Sequence, residues 1–179
     1  MKKLIFLSIL ILTSCVDFGP DPVDPNKPLE LPPITMEGKN ILGCKVNGQV
    51  WVSSVPFNLS GYNSFRMGYD SLSGHFGINS LWITPGNEIF ENLKFESIVI
   101  NKLVGDYKIL RNINVANFID VANINYNQYW IDNTPKNKLS ITYANKLKNI
   151  ISGTFEFTAI DTLHNDTLFI TEGRFDGKY

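Results

Sequence analysis

From Asn40 to the end of the chain, apolar and polar residues alternate in short runs that Gly, Asn, Asp and Pro interrupt. That is the period of half-buried strands, and no amphipathic helix stands out. Gly43 to Val52 reads as a hairpin, with Asn47-Gly48 as the two left-handed residues of a type I′ turn. Phe65 to Tyr69, His75 to Thr84 and Leu93 to Leu103 read as further strands. The middle one stops at the turn pair Pro85-Gly86, and irregular or helical structure is allowed near Glu88 to Asn92. Gly105-Asp106-Tyr107 opens a short strand through Leu110. Arg111 to Asn125, rich in Asn, is read as one helical turn or a long loop. Tyr126 to Asp132, Lys138 to Ala144, Ile150 to Asp161 and Thr167 to Phe175 then form four consecutive strands. Within Ile150 to Asp161, Ile151, Gly153, Phe155, Phe157 and Ala159 share a core face, and Ser152, Thr154, Glu156 and Thr158 share a solvent face. The expected fold is all-β: a single antiparallel β-sandwich or a partly closed β-barrel, with at most a short helix. The connections are too short for parallel crossovers.

The start of the chain follows different rules. Lys2 and Lys3 precede an apolar run from Leu4 to Leu12 that is too short to span a bilayer. It closes on Leu12-Thr13-Ser14-Cys15, which looks like a lipobox. Residues 1–14 are thus expected to be a cleaved lipoprotein signal peptide, and Cys15 the site of lipidation by fatty acyl chains such as palmitate. Residues 15–37 read as a tether, because Pro20, Pro22, Pro25, Pro28, Pro32 and Pro33 deny it backbone donors. Asp17, Asp21 and Asp24 make it acidic and discourage contact with anionic lipid. Residues 38–179 read as one β-domain.

Composition narrows the function classes. Losing Lys2 and Lys3 takes the 16 basic side chains to 14, against 17 acidic ones. No basic surface for nucleic acid is implied. With Cys15 lipidated, Cys44 is the one remaining thiol, so no disulfide can form within the chain. Stability must come from a core, which 44 % hydrophobic residues, twelve Phe and seven Tyr supply.

Candidate chemistry is sparse. His75 and His164 lie on separate elements. Asp161, His164 and Asp166 cluster, but a zinc site needs three or four convergent ligands, and a polar hairpin tip explains them better. No nucleophile elbow is present. Glu88, Glu91, Glu96, Glu156 and Glu172 offer carboxylates in principle, with Glu156 at a solvated strand position. Cys44 suits a buried small hydrophobe better than a reactive thiol. Trp51 is expected in the core. Tyr126, Tyr129 and Trp130 form a candidate ligand platform, since they follow an irregular segment of the kind that lines binding edges. Asp70-Ser71-Leu72, Asp161-Thr162-Leu163 and Asp166-Thr167-Leu168 resemble the O-glycosylation acceptor of Bacteroidota envelope proteins, which makes Ser71, Thr162 and Thr167 candidate acceptors. No metal and no cofactor is expected.

Two stretches carry a resemblance to a family. Gly38 to Trp51, containing Gly43-Cys44-Lys45-Val46-Asn47-Gly48, and the pair Ile151-Ser152-Gly153-Thr154-Phe155-Glu156-Phe157 and Ile170-Thr171-Glu172-Gly173-Arg174-Phe175-Asp176 resemble a Bacteroidota envelope lipoprotein family catalogued as a domain of unknown function. The resemblance implies an envelope location and a β-rich fold, and transfers no catalytic residue. Arg174 and Asp176 are expected on one strand face, paired with each other or with a neighbouring strand. In that lineage acidic residues after the lipidated cysteine resemble a surface-export signal. Asp17 fits, while Val16 and Phe18 interrupt it, so both membrane faces stay open. The function expected is a non-enzymatic, lipid-anchored binding or interaction module at the outer membrane, with an envelope protein or glycan as partner. The alternatives are a hydrolase acting at the envelope or surface, and a structural or accessory subunit without a ligand site.

Overall fold

A computed structural model describes residues 30–55, 63–83, 90–109, 115–122 and 125–179. The expected signal peptide, Cys15, most of the expected tether, Pro85-Gly86 and Glu88 lie outside the described residues. Among the described residues, all regular structure is strand and none is helix. The strands are β1 (Ile41–Val46), β2 (Gln49–Val52), β3 (Phe65–Tyr69), β4 (His75–Ile83), β5 (Phe90–Val99), β6 (Gly105–Lys108), β7 (Val115–Ala122), β8 (Asn125–Ile131), β9 (Lys138–Asn145), β10 (Ile150–Asp161) and β11 (Asp166–Lys178).

Every strand pair is antiparallel, in the order β2-β1-β11-β10-β8-β7-β5-β4-β3, with β9 on β10 and β6 on β9. β10 is shared: Ile150 to Glu156 pair with β9, while Ala159 and Ile160 pair with the end of β8. The ladder therefore turns over at β8, and its two parts face each other. The ring of Phe95 on β5 meets those of Phe155 and Phe157 on β10 edge-on, at 4.9 and 5.4 Å. Phe76 on β4 lies 5.8 Å from Phe175 on β11. Such contacts define a sandwich core. At the far margin Ser54 bridges to Trp82, donating to Leu81 O and accepting from Ile83 N. That bridge is isolated, and the sheet is not a closed barrel.

The core faces follow the alternation except at the start of β10, where Ser152, expected on the solvent face, is 1 % exposed because the N-terminal segment and Asp176 cover it. Leu42, Cys44, Phe76, Ile78, Leu93, Phe95, Ile151, Phe155, Phe157, Ala159 and Phe175 are buried, and so is Trp51. One stretch differs from expectation. The Asn-rich segment read as a helical turn or loop contains strand β7, paired with both β5 and β8. Val115, Phe118, Ile119 and Val121 supply β-formers that interspersed Asn, Ala and Asp obscure. Glu91 and Asn92, where irregular structure was allowed, belong to β5. Tertiary pairing overrides weak local propensity in both places.

Turn chemistry is regular. Asn47 and Gly48 have φ of 49° and 83°, the type I′ turn expected between β1 and β2. Three longer hairpin loops share a second scheme: Asp70 to Gly74, Asn145 to Asn149 and Asp161 to Asn165. In each the first side chain accepts a backbone N–H two or three residues on, and the last residue is left-handed. The third position is leucine each time, and Leu72, Leu147 and Leu163 are 97, 98 and 84 % exposed.

Candidate functional site

The long β10–β11 hairpin carries an irregularity that shapes its outer face. Phe155 pairs with Gly173 and Phe157 with Ile170, so β11 holds one residue more than its neighbour there. The same surplus appears against β1, where Gly43 pairs with Arg174 and Lys45 with Thr171. This bulge places Glu172 at φ 51°, a region that side chains other than Gly and Asn rarely adopt. Gly173 follows because a Cβ there would sit 2.5 Å from the Phe155 ring and 2.6 Å from its carbonyl oxygen. The strained position aims the Glu172 carboxylate at cations on both sides. Lys45 Nζ lies 2.5 Å from Oε1, and Arg174 Nη2 lies 4.0 Å from Oε2.

Around Glu172 lies a groove of about 250 Å³. Phe155 and Gly173 contribute buried surface, Lys138, Ser140, Thr154, Glu156 and Arg174 contribute polar groups, and Ile34 closes one side. Ser140 Oγ donates to Asp106 at 2.6 Å, and Lys138 Nζ lies 3.4 Å from the same carboxylate. These hydrogen bonds, Ser140 first, hold Asp106 below the usual carboxylate range.

Ile34 belongs to a strap that the fold ties down. Asp176, only 2 % exposed, accepts hydrogen bonds from Thr35 Oγ1 at 2.6 Å, Ser152 Oγ at 2.7 Å and the amides of Gly38, Glu37 and Lys39 at 2.9, 3.0 and 3.3 Å. Burial pushes this carboxyl upward, and the donors, Thr35 and Ser152 foremost, outweigh it and hold Asp176 below the usual range. Further along, the Pro32 ring covers Gly43, where a Cβ would meet it at 2.4 Å, and Arg174 Nη1 donates to Pro32 O at 3.2 Å. The last residues of the Pro-rich stretch are thus packed on the domain. Arg174 and Asp176 do not pair with each other: one reaches Glu172 and Pro32, the other Ser152 and the strap.

Other candidates are dispersed. Tyr129 and Trp130 are consecutive on β8 and project to opposite faces. Tyr129 is buried and donates to Asp166 at 2.7 Å, while Trp130 is half-buried. Tyr126 lies on the same strand, with its side chain outside the described residues. In the β10–β11 loop, Asp161 accepts from His164 Nδ1 at 2.6 Å and from the amides of Leu163 and His164, an internal turn network. No group of three metal-ligating side chains occurs among the described residues. Trp51 donates its indole N–H to Glu91 at 2.6 Å. Cys44 is fully buried, and burial, followed by the charge of Glu91, pushes its thiol far above its ordinary value. Glu96 pairs with Lys94 at 2.5 Å, Glu91 accepts from Trp51, Glu156 and Glu172 both line the groove with Glu172 held by Lys45, and Glu88 lies outside the described residues. Ser71 and Thr162 occupy exposed hairpin loops, whereas Thr167 is partly buried in β11 opposite Ile160.

Sequence reading did not find Lys45, Thr35, Ser152 or the role of Glu172. The Glu-Gly pair on a strand was the available signal for a bulge, since Gly in a strand interior commonly marks one.

The fold is an antiparallel β-sandwich with a charged groove on the outer face of one sheet. The chain belongs to the family described as Domain of unknown function (DUF6252), whose model matches residues 70–177. That match includes Glu172, Arg174 and Asp176 and excludes Thr35 and Lys45. No curated protein and no solved structure matches the chain.

Proposed function

We propose that this protein is a lipid-anchored binding module of the cell envelope, held at the outer membrane through Cys15, and that the groove around Glu172 receives its partner. The observation that carries the reading is the left-handed Glu172 clasped by Lys45 and Arg174. Backbone strain of this kind costs on the order of 1–3 kcal/mol and is retained where surrounding structure has a use for it. Here it fixes a carboxylate beside two cations, ready to exchange contacts with a partner at little ordering cost. Lys138, Arg174, Glu156, Ser140 and Thr154 offer donors and acceptors in alternation, a set suited to a glycan or a polar peptide segment. Catalysis would require convergent ionisable groups with opposed pKa values, and the groove carboxylates are separately paired or solvated. The lipid reading rests on the leader, the Leu-Thr-Ser-Cys motif and the tether composition.

Affinity capture from the native envelope tests both parts. The lipidated protein is expected to recover a partner that a Glu172→Asn, Arg174→Ala double variant does not. Equal recovery by that variant removes the groove. Mass spectrometry of the N-terminal peptide is expected to show acylated Cys15, and an unmodified thiol there removes the anchor.

A further inference from the structure

We infer that one end of the sandwich is a lipid-facing surface that engages anionic headgroups independently of any acyl chain on Cys15. Three loops and the end of β11 meet there. Tyr179 N donates to Asn149 O, and the Tyr179 ring sits edge-on to Tyr69, at 5.3 Å, just before the Asp70 loop. Ile100 N donates to Gly74 O, which brings the β5–β6 connection beside that loop. Gly105 pairs with Ile141, so residues 100–104 run past the same end as the β9–β10 turn.

Two kinds of side chain gather at this end. Leu72 and Leu147 are almost wholly exposed at their tips, and Val99 and Val104 are 43 and 53 % exposed beside them. Lys39, Lys102, Lys146, Lys148 and Lys178 are exposed at the same end, with Lys178 paired to Ile150 at the base of the β9–β10 turn. The acidic groups facing them are Glu37, which is 3.2 Å from Lys39, and Asp70, tied to the Leu72 amide and Ser73. His75 is exposed nearby. Cations therefore prevail.

The chemistry of the tips selects a bilayer. In Lys146-Leu147-Lys148 an apolar point is flanked by two long cations. Such a point can enter the boundary between headgroups and acyl chains while the ammonium groups snorkel to phosphate. The leucines stand on separate capped turns, so they present isolated probes instead of the contiguous apolar patch that protein partners bury. The opposite end supplies a contrast within the molecule: Leu163 is also largely exposed, at 84 %, but its loop carries Asp161, is followed by Asp166 and has no lysine.

The test is flotation of the mature chain from residue 15, carrying Cys15→Ala, which keeps every described element. The probes are vesicles of phosphatidylcholine alone and mixed vesicles of phosphatidylcholine and phosphatidylglycerol. Binding is expected only to the anionic vesicles, and is expected to fall with salt. Leu72→Ser with Leu147→Ser, and separately Lys146→Gln with Lys148→Gln, should each weaken it about tenfold or more. Leu163→Ser should leave it unchanged. Failure to float with anionic vesicles, equal binding to both vesicle types, or a loss with Leu163→Ser as large as with the paired leucines, would overturn the inference.

Discussion

Thr35 and Asp176 are 141 positions apart in the chain and 2.6 Å apart in the fold. Their hydrogen bond, with those from Ser152 and three strap amides, joins the N-terminal segment to the last strand. Asp176→Ala leaves the buried Ser152 hydroxyl without this acceptor and releases the strap. It should cost about 2–3 kcal/mol, with Thr35→Ala costing about 1 kcal/mol. Urea denaturation would measure both. A loss under a few tenths for Asp176→Ala would show that the strap is incidental to stability.

The same carboxylate makes stability depend on pH. Its folded pKa lies below its unfolded value of about 3.9, so the ionised form stabilises the fold above that value. The contribution fades as pH falls through the folded pKa. Asp70 and Asp106 are also lowered, but by exposed contacts that solvent screens, while Asp161, 4 % exposed, is lowered by the His164 ring and the turn amides of Leu163 and His164. The stability gap between the native protein and Asp176→Asn should therefore be constant near neutrality and narrow below about pH 4. A gap that widened on acidification would contradict the sign.

At Glu172 stability and binding should separate. Asn tolerates the left-handed region better than Glu, so Glu172→Asn should unfold no earlier than the native protein while losing partner capture. Gly173→Ala should lower stability by about 1–3 kcal/mol, because its methyl group meets Phe155. A thermal midpoint for Glu172→Asn several degrees below native would mean that the Lys45 and Arg174 contacts outweigh the strain.

Of the three acceptor-like tripeptides, two sit on hairpin loops and the third in a strand. Glycan on protein from its native host should map to Thr162, on the hairpin loop away from the lipid-facing end, and spare Thr167, whereas a glycan on Ser71 would exclude the adjacent Leu72 from a bilayer. Peptide mass mapping decides this. Sugar on Thr167 alone, or an intact mass showing lipid only, would remove the proposed acceptors.

Cys44 should resist alkylation at neutral pH until the protein unfolds, since burial disfavours its thiolate. Iodoacetamide labelling in the absence and presence of denaturant measures this. Rapid labelling of the folded protein would place the thiol in solvent.

The strands were legible wherever β-formers alternate without interruption. Phe65–Tyr69 and Ile150–Asp161 match the residues read from pattern alone. β7 was not, because its period is diluted by Asn and depends on ladders to β5 and β8. The groove was harder still. Periodicity places Ser152 and Asp176 on a solvent face, and nothing local announces that the chain returns over them from Thr35. Likewise Glu172 looks like an ordinary outward strand residue until the extra position in β11 rotates it.

Arg174 links two features, because it holds Pro32 O on the strap and lies beside Glu172 in the groove. A mechanical load on the N-terminal segment reaches the domain first through Arg174, and then through the four bonds the strap donates to Asp176. Under the proposed anchoring at Cys15 and binding in the groove, tension in the N-terminal segment and occupancy of the groove would act on one guanidinium, and each would change the hold of the other.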